Sequence, residues 1–373
     1  MKILFAGGGT AGHINPALAV AGYIRSRHPE AQLYYVGTKK GLESKLVPEA
    51  GIDFYTIDVK GLQRKISLQN IKHNLSALKL LATASAQAKK LLLELKPDVV
   101  MGTGGYVSGP VLREAHKLGI KCCIHEQNAF AGKANKLLAP DMDAVMLAMP
   151  EAEKFFNLKG KKAIITGNPV RESVMNADKQ KAREILGLDD KPMILSFGGS
   201  LGARKINEAA ADIMQWHASS GKVHHFHGTG KYGVELMPQL LKDRGVDINS
   251  PCLHITEYIN NMDVLMAAAD LVICRAGAIT VSELQAQGKP AVLIPSPNVA
   301  ENHQYYNAMT LVNKSAARLV EEKDLNRDTI VNAVSELIDN PDKLAEMSQK
   351  SKKNAILDTN QRIYEVIINL LTK

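Results

Sequence analysis

The sequence predicts an α/β protein made of two Rossmann-like domains whose parallel sheets face each other across a cleft. A strand, a glycine turn and a helix start follow one another once in each half, as KILFA–GGGTAGH over 2–13 and MILSF–GGSLGAR over 193–204. The 373 residues, of which 45% are hydrophobic, are enough for two cores of ordinary domain size. Each turn exposes backbone N–H groups and the positive end of a helix dipole, which suits a phosphate.

Apolar runs in the first half predict seven strands, and most of them are apolar throughout, as parallel strands covered on both faces are. They span residues 2–6, 32–37, 54–57, 99–102, 121–125, 144–147 and 163–166. Helical spacing between these runs predicts helices over 16–27 and 68–95.

The second half repeats this rhythm, with strands predicted at 193–197, 223–227, 253–256, 271–274, 291–295 and 317–320. A turn-rich join at Gly167 predicts the domain boundary, which gives an N-terminal domain over 1–166 and a C-terminal domain over 167–340. The tail over 341–373 has apolar residues at helical spacing and can cap either domain, including by packing back on the first.

Composition narrows the class of partner. A net charge of +8 and a pI near 9.1 indicate anionic partners, such as nucleic acid, an anionic membrane or a phosphorylated substrate. The four cysteines form no C-x-x-C pair, which favours reduced, buried thiols over a zinc site. We expect no signal peptide, because Met1-Lys2 leads directly into a strand. We also expect no membrane-spanning helix, because the sequence contains no run of about 18 apolar residues.

The first glycine turn ends at His13, which places an imidazole at a helix start where a neutral base can take a proton. The turn does not follow the G-x-G-x-x-G spacing cleanly, and no acidic residue ends a second strand nearby. A glycine turn that only lets helix and strand pack closely explains the same residues.

Three segments of the second half point to a nucleotide. Ser200 and Arg204 in the second turn can meet a phosphate. Glu283 follows a buried strand and a glycine turn, where a carboxylate can accept hydrogen bonds from a ribose diol or simply complement a helix dipole. The polar loop PSPNVAENHQY over 295–305 follows a strand, at the sheet edge where ligands collect.

Other polar patterns are weaker. Asp141 and Asp143 match a D-x-D metal–diphosphate pattern but are interpreted as a solvated turn. His225 and His227 share one strand face, which is too few ligands for zinc. No G-x-S-x-G context supports acyl transfer, and we expect no metal.

The stretch from Lys60 to Lys96 has eight basic residues and one acid, with Leu68, Ile71, Leu75 and Leu78 forming one helical stripe. It is either a core-facing helix with a charged outer face or a surface for anionic lipid. Nucleic acid is disfavoured, because aromatics make up only 5% of the chain and none interleave with these charges.

Together the motifs resemble the MurG family of bacterial peptidoglycan glycosyltransferases, which have the GT-B fold. The matching segments are GGGTAGH at 7–13, GGYVSGP at 104–110, HEQN at 125–128, GNPVR at 167–171, GGSLGAR at 198–204, RAGAITVSE at 275–283 and HQ at 303–304. They run in family order over nearly the whole chain. The resemblance implies an enzyme that transfers N-acetylglucosamine, with inversion, from UDP-N-acetylglucosamine to the 4-hydroxyl of lipid I and so forms lipid II. It also implies a peripheral protein at the cytoplasmic face of the cell membrane that uses no cofactor.

The resemblance also implies roles for individual residues. It implies that Ser200 and Arg171 bind the donor diphosphate, that Ile259 contacts the uracil and that Glu283 binds the ribose. The residues that surround the nucleotide as a whole are Ala278, Ile279, Thr280, Val281, Ser282 and Glu283. Gln304 and Asn128 bind sugar hydroxyls, and Thr10, Ala11 and Gly12 line the donor sugar. The acceptor diphosphate falls to Gly104, Gly105, Tyr106 and Ser108. His13 is the first choice for the base and Glu126 the second.

Alternatives remain at this stage: a GT-B glycolipid synthase with another acceptor, a UDP-N-acetylglucosamine 2-epimerase on similar domains, and a non-catalytic nucleotide-binding scaffold. The chain departs from the family in the loop that begins PSPNVAEN at 295 and in lacking tryptophan over 59–66.

Overall fold

A computed structural model describes residues 1–59 and 68–372, without the side chains of 68–79 and 81. The chain divides into two compact units, residues 1–169 with 358–373, and residues 170–357. Each contains one parallel sheet, which confirms the predicted α/β class. Every predicted strand is present, with bounds that differ by two residues at most.

Unit 1 contains a seven-stranded parallel sheet in the order β3-β2-β1-β4-β5-β6-β7. Its strands are β1 (Lys2–Gly7), β2 (Gln32–Gly37), β3 (Asp53–Thr56), β4 (Val99–Gly104), β5 (Lys121–Glu126), β6 (Ala144–Leu147) and β7 (Ile164–Ile165). Its first helices are α1 (Ala11–Arg27), α2 (Glu43–Glu49), α3 (Leu68–Leu95), α4 (Ser108–Lys117) and α5 (Lys133–Leu138). The strand order reverses between β1 and β4, which is where open α/β sheets bind ligands.

Unit 2 contains a six-stranded parallel sheet in the order β10-β9-β8-β11-β12-β13. Its helices are α6 (Glu172–Met175), α7 (Lys179–Ile185), α8 (Arg204–His217), α9 (Leu236–Asp243), α10 (Met262–Ala268), α11 (Ala278–Ala286), α12 (His303–Val312), α13 (Arg327–Ile338) and α14 (Pro341–Lys353). Its strands are β8 (Met193–Phe197), β9 (His224–Gly228), β10 (Leu253–Thr256), β11 (Leu271–Cys274), β12 (Ala291–Leu293) and β13 (Ala317–Leu319). Here the order reverses between β8 and β11.

The predicted C-terminal tail divides between the units. Helix α14 belongs to unit 2, whereas the last helix, α15 (Thr359–Leu371), belongs to unit 1. Ile363 and Ile367 of α15 lie in the unit 1 core, and the Tyr364 hydroxyl lies 2.7 Å from His28 Nε2 at the end of α1. The apolar face of α15 therefore attaches this helix to the core of unit 1.

Helix α1 begins at Ala11, five residues before the predicted start at Pro16. The helix passes through Pro16, which loses only the hydrogen bond that its missing N–H would make to Gly12. As a result, His13 lies in the first turn of α1.

The basic stretch lies partly outside the described residues, because 60–67 and the side chains of the Leu68, Ile71, Leu75 and Leu78 stripe are not described. In the described half of α3, Ala84, Ala88, Leu92 and Leu95 face the core, while Lys89 and Lys90 are exposed. Over the residues that the structure describes, no helix has the length and apolar character needed to cross a bilayer.

Candidate active site

Two glycine turns meet where the sheet order of unit 1 reverses. A Cβ atom added to Gly105, whose φ is +82°, would lie 2.3 Å from the carbonyl oxygen of Gly8. A Cβ on Gly7 would lie 2.3 Å from Thr103 Oγ1. The turns after β1 and β4 therefore touch backbone to backbone, which only glycine allows.

The turn after β1 leads into an open helix start. The Thr10 side chain makes no capping hydrogen bond to α1, and no acidic residue stands in the first turn. Thr10 and Ala11 are exposed and Gly12 is half-buried. This end of α1 presents N–H groups and a positive dipole to an anion or a sugar oxygen.

Glu43, at the start of α2, holds the same turn from below. The buried carboxylate accepts hydrogen bonds from Gly9 N at 3.2 Å, Thr38 N at 2.9 Å and Thr38 Oγ1 at 2.7 Å. Burial alone would raise the pKa of Glu43, but these hydrogen bonds lower it overall, so the group stays ionised. This acid lies beyond the end of β2, so the pattern of an acid at the end of a strand does not predict it.

His13 lies at the junction of the two turns. Its ring packs on Gly104, where an added Cβ would be 2.8 Å from Nδ1. His13 Nδ1 is also 3.1 Å from Gln127 Oε1, in the loop after β5. The side chain is half-buried, so a ring nitrogen and an incoming hydroxyl can meet.

Glu126, the second candidate base, is buried, and both of its carboxylate oxygens already accept hydrogen bonds. Oε1 accepts from Asn128 N at 3.0 Å and Asn128 Nδ2 at 3.1 Å, while Oε2 accepts from Gly132 N and Asn135 Nδ2, both at 2.9 Å. This carboxylate shapes the loop that carries Asn128, and four donors leave it poorly placed to take a proton from a substrate.

The residues expected at the acceptor diphosphate separate into two kinds. Tyr106 is 60% exposed beside the positive-φ glycines Gly104 and Gly105. Ser108 is fully buried, and its hydroxyl accepts from Gly104 N at 3.0 Å and lies 2.8 Å from the carbonyl oxygens of Ala6 and Gly104. The hydroxyl therefore holds the turn together.

In unit 2 the turn after β8 packs against the loop after β9. Gly202, at φ +82°, would place a Cβ 2.2 Å from the Thr229 carbonyl oxygen. Ser200 is exposed on this turn, and Arg204 at the start of α8 pairs with Glu208 at 2.8 Å. The Ala203 side chain does not cap α8, so this helix start is open as well.

Arg171 and Glu283 form an ion pair across 112 positions of sequence. Arg171 Nη2 and Nε donate to Glu283 Oε1 at 3.0 and 3.2 Å. Burial raises the pKa of Glu283, and the guanidinium counteracts this. Glu283 is the sixth residue of α11 and is mostly buried, whereas Arg171 remains half-exposed.

The other expected nucleotide contacts lie on α11 and two loops of unit 2. Ala278, Ile279 and Thr280 form the half-buried first turn of α11, the Val281 side chain lies in the core, and Ser282 Oγ donates to the Ala278 carbonyl. Ile259 packs on Gly228, where an added Cβ would be 2.9 Å from Ile259 Cδ1. Gln304 Oε1 accepts from Ser296 N at 2.9 Å, which fixes the loop after β12.

A buried chain of imidazoles in unit 2 was only partly foreseen. His225 Nε2 and His227 Nδ1 lie 2.8 and 2.7 Å from Ser196 Oγ, so the two share a face as predicted. His217 extends the chain at 3.1 Å from His225, and Asn207 continues it at 3.1 Å from His227. Asn207 Nδ2 donates to the Thr229 carbonyl, so the chain supports the loop that packs on Gly202.

The candidate metal pattern has protein partners. Asp143 accepts from Cys122 N at 2.8 Å, and Asp141 pairs with Lys159 at 2.9 Å. These contacts agree with its interpretation as a turn.

Comparison with known proteins gives consistent results over the whole length. The description "Glycosyltransferase family 28 N-terminal domain" matches residues 3–147, and "Glycosyltransferase family 28 C-terminal domain" matches 193–363. Two relatives share the name UDP-N-acetylglucosamine--N-acetylmuramyl-(pentapeptide) pyrophosphoryl-undecaprenol N-acetylglucosamine transferase. The protein from Ruminiclostridium cellulolyticum is 45% identical over 374 residues and covers 100% of both chains. That from Acetivibrio thermocellus is 42% identical over 372 residues and covers 100% of this chain and 98% of its own.

Among solved structures, Acinetobacter baumannii MurG superposes with a TM-score of 0.81 at 29% identity over 99% of both chains. A UDP-GlcNAc 2-epimerase from Neisseria meningitidis superposes with a TM-score of 0.67 at 15% identity, over 99% of this chain and 100% of its own, which shows a shared fold. The fold and these similarities define the protein as a hexosyltransferase with the GT-B fold. The chain belongs to glycosyltransferase family 28, within the group of relatives that bear the transferase name given above.

Proposed function

We propose that the protein transfers N-acetylglucosamine from UDP-N-acetylglucosamine to the 4-hydroxyl of the muramoyl sugar of lipid I, releasing UDP and forming lipid II with inversion at the anomeric carbon. The observation that carries this proposal is full-length similarity to transferases whose names state this sugar and this acceptor. It makes the protein an enzyme of peptidoglycan synthesis.

We assign the donor to unit 2. The open start of α8 with Ser200 and the guanidinium of Arg171 offer donors for the diphosphate, whose negative charge grows as the glycosidic bond breaks. Glu283 offers a carboxylate to the ribose diol beside the first turn of α11, Ile259 borders the uracil, and Gln304 meets the sugar. Fixed N–H groups and a guanidinium suit this task without a metal.

We assign the acceptor to unit 1. Gly104, Gly105 and Tyr106 border the lipid I diphosphate, and Ser108 keeps their turn in shape. Asn128 meets sugar hydroxyls, and the open start of α1, with Thr10, Ala11 and Gly12, is assigned to the donor sugar. His13 takes the proton of the attacking 4-hydroxyl, and we retain it over Glu126 because the latter carboxylate already accepts four hydrogen bonds.

A lipid-linked acceptor requires contact with a membrane. We propose peripheral binding at the cytoplasmic face, supported by the net charge of +8 and by the basic stretch over 60–96. Each basic residue near an anionic surface contributes about 1 kcal/mol, so several together give reversible attachment.

The test supplies radiolabelled UDP-N-acetylglucosamine with lipid I, with diacylglycerol, or with no acceptor. We expect labelled lipid II in the first reaction only. Label on diacylglycerol would identify a glycolipid synthase, and isomerised donor without acceptor would identify an epimerase. His13→Ala is expected to lower kcat by about 100-fold or more, the usual contribution of a general base. Full activity of that variant would refute the base assignment.

A further inference from the structure

Two side chains, Gln127 and His125, connect His13 to a backbone carbonyl of unit 1 through three hydrogen bonds. His125 Nε2 lies 2.9 Å from the Gly167 carbonyl oxygen, Gln127 Nε2 lies 3.1 Å from His125 Nδ1, and Gln127 Oε1 lies 3.1 Å from His13 Nδ1. His125 and Gln127 are at most 1% exposed, so water offers neither of them another partner. The direction of each hydrogen bond can be worked out from the Gly167 carbonyl oxygen, where the series ends.

A carbonyl oxygen can only accept, so His125 Nε2 carries the proton in this contact. Burial lowers the pKa of His125, although the Gly167 carbonyl and the nearby Glu126 carboxylate act in the opposite direction. His125 is therefore neutral, and its Nδ1 has a lone pair that must accept a hydrogen bond.

The amide of Gln127 is oriented by that lone pair. Gln127 Nε2 faces two acceptors, His125 Nδ1 at 3.1 Å and the His125 carbonyl oxygen at 2.9 Å, and its two hydrogens serve both. The flipped amide would bring an oxygen against two lone pairs. Gln127 Oε1 must therefore face His13, where it can only accept.

From this geometry we infer that Gln127 and His125 are positioning residues that hold neutral His13 in the tautomer with hydrogen on Nδ1 and the lone pair on Nε2. The inference rests on the proposed function, in which His13 is the base. His13 Nε2 takes the proton of the 4-hydroxyl while the hydroxyl oxygen bonds to the anomeric carbon. The electrons of the breaking bond between the anomeric carbon and the diphosphate oxygen leave with UDP. The imidazolium formed then donates from Nδ1 to Gln127 Oε1.

The backbone on both sides of Gln127 is also held by hydrogen bonds. Asn168 Nδ2 donates to the Gln127 carbonyl oxygen at 3.0 Å, beside the Gly167 carbonyl that accepts from His125. Glu126 binds the amide of Gly132 further along the same loop. Both ends of the Gln127 segment are therefore anchored, so the amide cannot turn without breaking buried hydrogen bonds.

The direct test is the protonation state of the His13 ring in the ligand-free protein, read by NMR with 15N-labelled histidine and assigned by the signal missing in His13→Ala. We expect Nδ1 to resonate as a protonated nitrogen and Nε2 as an unprotonated one. Gln127→Leu is expected to shift the signals toward the opposite tautomer, which free imidazole side chains favour. Protonated Nε2 in the unsubstituted protein, or unchanged signals in Gln127→Leu, would overturn the inference.

The kinetic test compares two substitutions at one position. Gln127→Leu is expected to lower kcat by about 10- to 100-fold and to change the donor KM less than threefold, because only proton transfer is affected. Gln127→Glu keeps an acceptor toward His13 but places its second oxygen against His125 Nδ1 and the His125 carbonyl, so it should recover only part of kcat. Its acid limb should move to higher pH by about one unit, because the added carboxylate favours the imidazolium. Glu43, Glu126, His125, Tyr35 and Tyr106, which are titratable groups at the described loops around His13, are the same in both variants.

Gln361→Leu is the matched control, because Gln361 on α15 is exposed and its side chain donates to Glu365 on the same helix. It should leave kcat and the pH profile unchanged. Equal loss of kcat in Gln127→Leu and Gln127→Glu, without a shift of the acid limb, would refute the positioning role. Because the NMR test needs no substrate, failure of the tautomer inference is distinguishable from failure of the proposed reaction, which the labelled-donor experiment tests with the unsubstituted protein.

Discussion

The guanidinium of Arg171 meets the carboxylate of Glu283 at a single oxygen, Oε1, through two N–H groups at 3.0 and 3.2 Å. Oε2 takes no part in this pair. A buried carboxylate that is held by one oxygen is oriented, and its other oxygen can still accept a hydrogen bond from a ligand diol. This relationship gives the first prediction.

Glu283→Gln should weaken donor binding while leaving the fold intact, because the amide has the same shape but loses charge-assisted hydrogen bonds. Such bonds contribute about 1.5–3 kcal/mol, so we expect the donor Kd to rise by about 10- to 150-fold. Isothermal titration with UDP-N-acetylglucosamine measures this. Glu365→Gln, at an exposed position of α15, is the matched control, and equal affinity in both variants would remove Glu283 from the donor site.

Ser108→Ala should destabilise unit 1, because the buried Gly104 N–H and the Ala6 carbonyl lose the hydroxyl that joins them. Leaving such groups without a partner costs about 1–3 kcal/mol. Urea unfolding followed by circular dichroism measures the change. Ser26→Ala removes an exposed hydroxyl bonded within its own helix and should cost under about 0.5 kcal/mol. Similar losses at the two sites would contradict the turn-holding role.

Gly105→Ala and Gly109→Ala should act in opposite directions on stability. The first residue has φ +82° and its Cβ would lie 2.3 Å from Gly8 O, so strain of about 1–3 kcal/mol adds to the clash. The second lies in α4 with no atom within 4 Å of an added Cβ, so alanine should stabilise by about 0.5–1 kcal/mol. Thermal unfolding of both variants checks the sign, and a stable Gly105→Ala protein would mean that the two turns do not touch.

Acid should destabilise unit 2 through its buried imidazoles. Burial lowers the pKa of His217 and of His227 from 6.5 to about 4, so the unfolded chain binds protons in this range that the folded chain does not. Stability is therefore complete above pH 6.5 and falls as the pH drops to about 4, by on the order of 3 kcal/mol for each imidazole. Urea unfolding at several pH values, followed by the fluorescence of Trp216, measures it.

His227→Gln removes one of these groups, so its stability should depend less on pH over the same range. His116→Gln, at an exposed position of α4, should keep the full dependence. Identical pH profiles for all three proteins would show that the buried imidazoles do not control acid unfolding.

Several local features follow from sequence alone. The strands come from uninterrupted apolar runs, and the glycine turns come from residues that permit positive φ, so each is specified within about ten residues of chain. The start of α1 was placed too late because Pro16 normally marks the beginning of a helix, whereas here the surrounding turns keep the helix intact around it.

What the sequence by itself determined is therefore the class of fold and the places where glycine turns occur, because periodicity and turn chemistry act between near neighbours. Tertiary structure decided the tasks of the polar residues. The sequence offers His13 as the first choice for the base and Glu126 as the second, but it does not show that folding surrounds Glu126 with four donors, whereas His13 Nδ1 meets one acceptor, Gln127 Oε1. The partner of a side chain depends on which strand ends become adjacent in the sheet, and that order is a property of the whole chain.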